Sequence, residues 1–284
     1  KKIYFEPSLW EHFKRKHTCE VIDWETHCEY LQELLMDAQK LCTAENATLI
    51  WKWPEINHDD SLRHLSQLVK PLLEEKIDEI MIGNMGTYNI INRLNVPVKI
   101  VGSAALNIWN YRTVFEYSRK INRLTLSNEL SRLELKSITS HARNHALELV
   151  VQGNLESMIS EDCLINQENK NLKPKWGIED KNRIFPLIID DEARTHIMNS
   201  VELCLIDHIP DLYGMGFQNL SIDARHKTRE YARVMVACYS EGLNYRENRL
   251  ENIEKLNKLK NKVKRISQGG ITTGNFLNTP YKFK

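Results

Sequence analysis

Short runs that are apolar at nearly every position alternate with amphipathic helical stretches along this chain, and no other feature restricts its fold as tightly. The runs lie at residues 2–5, 47–53, 77–82, 96–101, 123–126, 147–151 and 217–222. A strand without polar alternation must be covered on both faces, which is the condition of a parallel sheet wrapped in helices. The intervening stretches supply that cover. Leu31, Leu34, Leu35, Ala38 and Leu41 recur at helical spacing, as do Leu62, Leu65, Leu68, Val69, Leu72 and Leu73. Ser8 with Glu11, and Ser131 with Glu134, stand at capping-box spacing and start two helices. Residues 104–117 and 228–239 read as further helices. A helix capped by Asn199 or Ser200 and running to Tyr213 is expected as well, and residues 154–196 read as irregular. The pattern is that of an α/β fold. Polar groups follow every strand rather than gathering at one switch point, which favours a (β/α) TIM-like barrel over an open doubly wound sheet.

The chain starts Lys1-Lys2 without a methionine and enters a strand at once, so the expectation is a barrel lacking its first strand within a longer chain or complex. Residues 1–243 form the expected barrel domain. Residues 244–268 form a basic amphipathic helix with Ile253, Leu256, Leu259, Val263 and Ile266 on one face, and residues 269–284 a short polar tail. A net charge of +1 and 27% charged residues exclude a generally basic nucleic-acid binder but leave room for a local basic patch. The six cysteines show no paired spacing, and no apolar run reaches the ~20 residues that span a bilayer. A cytoplasmic protein with reduced thiols and no membrane partner is expected.

Candidate site residues follow from position at strand ends. Asn84 and Asn107 follow the third and fourth strands, Glu129 the fifth, Gln152 the sixth, and the phrase Asp223-Ala224-Arg225-His226 the last. A carboxylate beside a planar guanidinium can orient an anionic group while the acid exchanges a proton. This makes Glu129, Asp223 and Arg225 the catalytic candidates and Asn84, Asn107, Gln152 and His226 the substrate-binding ones; a structural Asp–Arg pair tying strand to helix is the competing reading. Gly83-Asn84-Met85-Gly86 reads as a tight strand-to-helix turn rather than a phosphate loop. His141 and His145 stand four apart on an expected helix, without the carboxylate of a metalloprotease motif.

The run MNSVELCLIDHIPDLYGMGFQNLSIDARHKTREYARVMVACYSEGL, the strand phrase LELVVQGNLESMISEDC, the segment RLTLSNELSRLEL and the later GGITTGNF together resemble the collagenase-like peptidase family, peptidase family U-thirty-two. The resemblance implies a (β/α) barrel and an activity as a peptidase, by family name, or in hydroxylating RNA, as for better-understood members, with a peptide or RNA as partner. It also implies a four-iron four-sulfur cluster on four cysteines. Those positions fall here on Glu156, Cys163, an absent third cysteine and Cys204. Two of four thiolates are missing, so the usual cluster is not expected. A mononuclear metal on Cys163, Cys204 and Glu156, with His196 or His208, is one alternative. Two cysteines acting as small buried apolar groups is the other. A non-catalytic barrel module with a degenerate metal site stands beside the enzyme reading.

Overall fold

The computed structural model describes residues 1–6, 24–59, 62, 66, 77–165, 176–190 and 194–278, and these divide into two compact units, 1–127 and 128–284. The expected helix after Ser8 and most of the one spanning Leu62 to Leu73 lie outside the described residues.

The first unit carries strands β1 (Lys2–Phe5), β2 (Thr48–Lys52), β3 (Glu79–Ile82), β4 (Lys99–Gly102) and β5 (Arg123–Thr125), each paired in parallel with the next. Helix α1 (Trp24–Ala44) buries Leu31, Leu35 and Cys42, while Leu41 is 71% exposed. The buried seam therefore runs through Cys42, one residue beyond the expected Leu41, as the steps 31, 35, 42 keep to one face at 3.6 residues per turn. Helix α2 (Met85–Leu94) follows β3, and Asn84 caps it: its side-chain oxygen accepts from the Thr87 amide at 2.8 Å. The expected single helix over 104–117 is instead a 3-10 turn at Ala104–Leu106, closed by Asn107 in the left-handed region at φ 52°, then α3 (Tyr111–Ser118) capped by Asn110. Asparagine tolerates that conformation, and the reversal ends the turn. Beneath the strands, Glu79 accepts from Lys2 at 2.7 Å and pairs with Arg123 at 3.0 Å. Burial raises the Glu79 pKa, but the two cations outweigh it and hold the carboxyl below its usual range.

In the second unit, α4 (Arg132–His141) opens on the expected capping box: Glu134 accepts from the Ser131 amide at 2.8 Å and the Ser131 hydroxyl accepts from the Glu134 amide. Strand β6 (Leu147–Gly153) follows. The expected irregular stretch holds an antiparallel sheet of β7 (Glu156–Ser160), β8 (Gly177–Asp180), β9 (Arg183–Ile189) and β10 (Thr195–Met198), in the order β7-β10-β9-β8. Its strands are partly or wholly exposed, so they lack the apolar signature of the parallel strands. The β8–β9 hairpin turns on Lys181-Asn182, both at positive φ, as a two-residue primed turn requires.

The expected helix from Asn199 is also replaced. Residues Glu202–Cys204 form β11, antiparallel to the end of β6, with Leu203 opposite Gly153 and Cys204 opposite Gln152. Only from Ile209, with Pro210 in the first turn, does α5 (Ile209–Gly214) begin. Strand β12 (Asn219–Ile222) pairs in parallel with β6. Helix α6 (Arg229–Gly242), capped by Thr228, and α7 (Arg249–Ile266) follow, then β13 (Ile271–Thr272) beside β11. Helix α7 buries Leu256, Leu259 and Val263, and its Lys260 donates to Asp207 at 2.7 Å.

The described residues therefore form a mixed α/β fold with parallel sheet and helices. None of their helices is long and apolar enough to cross a membrane.

Candidate functional site

In the first unit the strand ends carry a linked polar group. Lys52, closing β2, donates to Glu6 at 3.0 Å and lies 3.3 Å from Glu55; the Ser103 hydroxyl donates to Glu55 at 3.2 Å, and the Asn84 amide to the Glu55 carbonyl at 3.0 Å. Asn84 thus spends its oxygen on a helix cap and its nitrogen on this loop. Asn107 is exposed and closes the 3-10 turn.

In the second unit β6 delivers Gln152 into a dry polar network that strand-end position alone did not reveal. Glu202, with a fully buried side chain, receives four hydrogen bonds. Lys227 Nζ donates to Oε1 at 2.7 Å and the Gln268 amide at 3.0 Å; the Tyr231 hydroxyl donates to Oε2 at 2.7 Å and Gln152 Nε2 at 3.2 Å. Gln152 Oε1 in turn faces the Tyr239 hydroxyl at 3.2 Å, which also reaches the Val151 carbonyl at 2.7 Å. Burial, then the bond to Glu202, pushes the Tyr231 phenol far above its ordinary pKa, so it stays a donor. One clue was legible: Glu202 is a charge inside the apolar run VELCLI, and a charge there needs a counterion.

The network borders the Asp223 loop. The Asp223 amide donates to the Gln152 carbonyl at 2.8 Å, and Arg225 grips the Asp223 carboxylate through Nε at 3.1 Å and Nη2 at 2.8 Å. Gly153 makes the approach possible. It sits at φ 136°, and a Cβ there would lie 2.8 Å from Asp223 Cβ and closer still to its carbonyl oxygen. Arg225 and His226 are exposed, His226 at φ 59°. Glu129 is exposed, next to Asn128, whose amide donates to the Val150 carbonyl of β6 at 2.7 Å.

The remaining sequence candidates separate. Cys163 is exposed, against the buried-cysteine reading, and its thiol donates to the Ile165 carbonyl; Cys204 is buried, 3.9 Å from the Tyr239 hydroxyl, and burial pushes its thiol pKa up. Glu156 is committed to His196, whose Nδ1 donates to it at 2.6 Å while Nε2 donates to Asp190 at 3.1 Å. Asp190 first and Glu156 second raise the His196 pKa to about 9. His208 instead bonds Asp211 at 2.9 Å. Helix α4 ends at His141, so His145 lies beyond it and the two rings do not share a helix face. No three His, Cys, Asp or Glu side chains among the described residues converge as a metal site.

The model of Peptidase family U32 matches residues 28–283. The chain belongs to this family. Among curated U32-family relatives, an uncharacterized protease of Methanocaldococcus jannaschii is 22% identical over 75% of this chain and 55% of its own length. A tRNA hydroxylation protein of Bacillus subtilis is 25% identical over 76% of this chain and 74% of its own, and one of Escherichia coli 23% over 66% and 53%. The chain thus spans about half the length of two of these three relatives. No solved structure matches it.

The family's iron–sulfur cluster does not fit this U32 chain. One cysteine position holds Glu156, bound to an imidazolium; a second, Cys163, is exposed; and Cys204 is a protonated thiol turned to a tyrosine. A cubane needs thiolates, which these residues do not supply.

Two outcomes follow. Lys227→Met should cost about 3–5 kcal/mol by urea unfolding, because it strands a buried carboxylate, and the double variant Lys227→Met/Glu202→Leu should recover part of that loss. The raised His196 pKa means its ion pairs stabilise fully below the ordinary value of 6.5 and are lost as pH rises through about 9. The stability gap between wild type and His196→Gln should therefore close over that window in pH-dependent urea titrations.

Proposed function

We propose that this U32-family chain serves RNA modification, as a (β/α) barrel protein of the cytoplasm that takes part in hydroxylating a tRNA nucleoside. The observation that carries this reading is the rigid rim around Asp223 and Arg225: an ion pair at a strand end, held from beneath by the dry Gln152–Glu202–Tyr231 network. Such a rim can orient a phosphate or carboxylate through the guanidinium while Asp223 or Glu129 moves a proton. Gln152, being buried, positions the rim, and exposed His226 extends it toward substrate. The naming of two relatives for tRNA hydroxylation supports RNA over peptide. Peptide cleavage finds no support in the donor set, since no metal-ligating group assembles among the described residues.

The test is nucleoside mass spectrometry of tRNA from cells lacking this chain. A nucleoside heavier by one oxygen should disappear and return with the wild-type chain, while Asp223→Asn or Arg225→Gln should restore it on the order of 10²-fold less efficiently. An unchanged nucleoside profile in the deletion strain would sink the proposal.

A second reading, a non-catalytic module of a longer chain or complex, is favoured by the cysteine set. Purified without oxygen, the protein should then carry no stoichiometric iron and none of the visible absorbance of an iron–sulfur centre. Stoichiometric iron bound through Cys163 and Cys204 would overturn it.

A further inference from the structure

A second feature of the 128–284 unit lies at the other end of β6 from Gln152. Around the strand's first residue, Leu147, the end of α4 and the loop after α5 enclose an open cavity of about 450 Å³. That is the size of a small-ligand pocket. Its polar lining includes Lys136, Ser140, Arg143, His145, Tyr213 and Gln218, and no acidic side chain contributes to it. Lys136 and Arg143 are exposed, and neither forms an ion pair with a described residue. This sets them apart from Arg132, Arg233, Arg249 and Lys260 of the same unit, which all face carboxylates. Tyr213 is 47% exposed, a large aromatic ring left in water, and the Arg246 guanidinium lies 5.2 Å from its ring centre.

Cations at the end of a helix ordinarily do no more than offset its terminal carbonyls. Here they share a concave, acid-free cavity with an exposed aromatic ring and a guanidinium stacked on it. Unpaired cations attract phosphate, and an aromatic ring flanked by arginine is a platform on which a base can stack without regard to its identity. Hydroxyl and amide groups at Ser140 and Gln218 can meet the ribose or base edges.

We infer that this cavity holds one nucleotide of a single-stranded RNA segment, its phosphate between Lys136 and Arg143 and its base on Tyr213. The inference rests on the RNA reading above and adds a docking point remote along β6 from the Asp223 rim.

Fluorescence anisotropy of the full chain with a labelled single-stranded RNA oligonucleotide, over a range of salt, tests it. Lys136→Gln/Arg143→Gln should weaken binding and lower the slope of log affinity against log salt by about 1.4, at roughly 0.7 per lost phosphate contact on a single strand. Tyr213→Ala should weaken binding roughly tenfold or more and leave that slope unchanged, whereas Tyr213→Phe should bind as wild type does. Circular dichroism melts of each variant establish that it is folded. Binding that ignores all three substitutions would overturn the inference, and so would a uridine monophosphate competitor binding more tightly than the oligonucleotide, which would make the cavity a free-nucleotide site. The two proposals fail separately. If these variants bind RNA normally while the deletion strain loses its oxygenated nucleoside, this docking point is wrong and the modification reading stands. If the variants lose binding while the nucleoside profile never changes, the cavity is an RNA site on a protein with another task.

Discussion

A carboxylate with no access to water is the constraint on which the 128–284 unit turns. Glu202 would be strongly destabilising alone, and the chain answers with an ammonium, a phenol, an amide side chain and a backbone amide drawn from four separate segments. Each donor belongs to a different piece of the fold: Gln152 to β6, Lys227 to the loop after β12, Tyr231 to α6 and Gln268 to the stretch after α7. Satisfying one acid thus sets the register of β11 against β6 and the entry into α6. An apolar residue at the same place could be buried in many arrangements. A carboxylate with directional donors accepts few.

That network shapes the chemistry by deciding what stands above it. With Gln152 locked inside, the chain turns at Gly153 and lets the Asp223 backbone come close, so the Asp223–Arg225 pair sits on a fixed base. The antiparallel sheet beside it shows a different solution to a related problem. Where the family pattern has a thiolate, Glu156 meets His196 and Asp190, a set of hard, charged groups that join three strands without a metal. Soft ligands have been exchanged for an ion triad, and the cost of burying its charges is offset within the triad itself.

Much of this was legible in the residues. The parallel strands announced themselves through unbroken apolar runs, the Ser131–Glu134 cap through its spacing, and the Gly83–Gly86 turn through its glycines and asparagine. The antiparallel sheet was not legible, because strands such as Gly177–Asp180 are exposed and polar and pair only by backbone. Nor was β11: the segment VELC alternates weakly, and only its contacts with Gly153 and Gln152 make it a strand rather than the first turn of a helix.

By itself the sequence determined the α/β class, the helix caps and the kinship with the U32 family, since these depend on periodicity and local hydrogen bonding within a few residues. Tertiary structure alone decided which polar groups would share a site. Gln152 and Tyr231 lie 79 residues apart, and Glu156 and His196 lie 40. No local pattern encodes such a meeting, because its energy comes from desolvating charges together, and that happens only once the strands have packed.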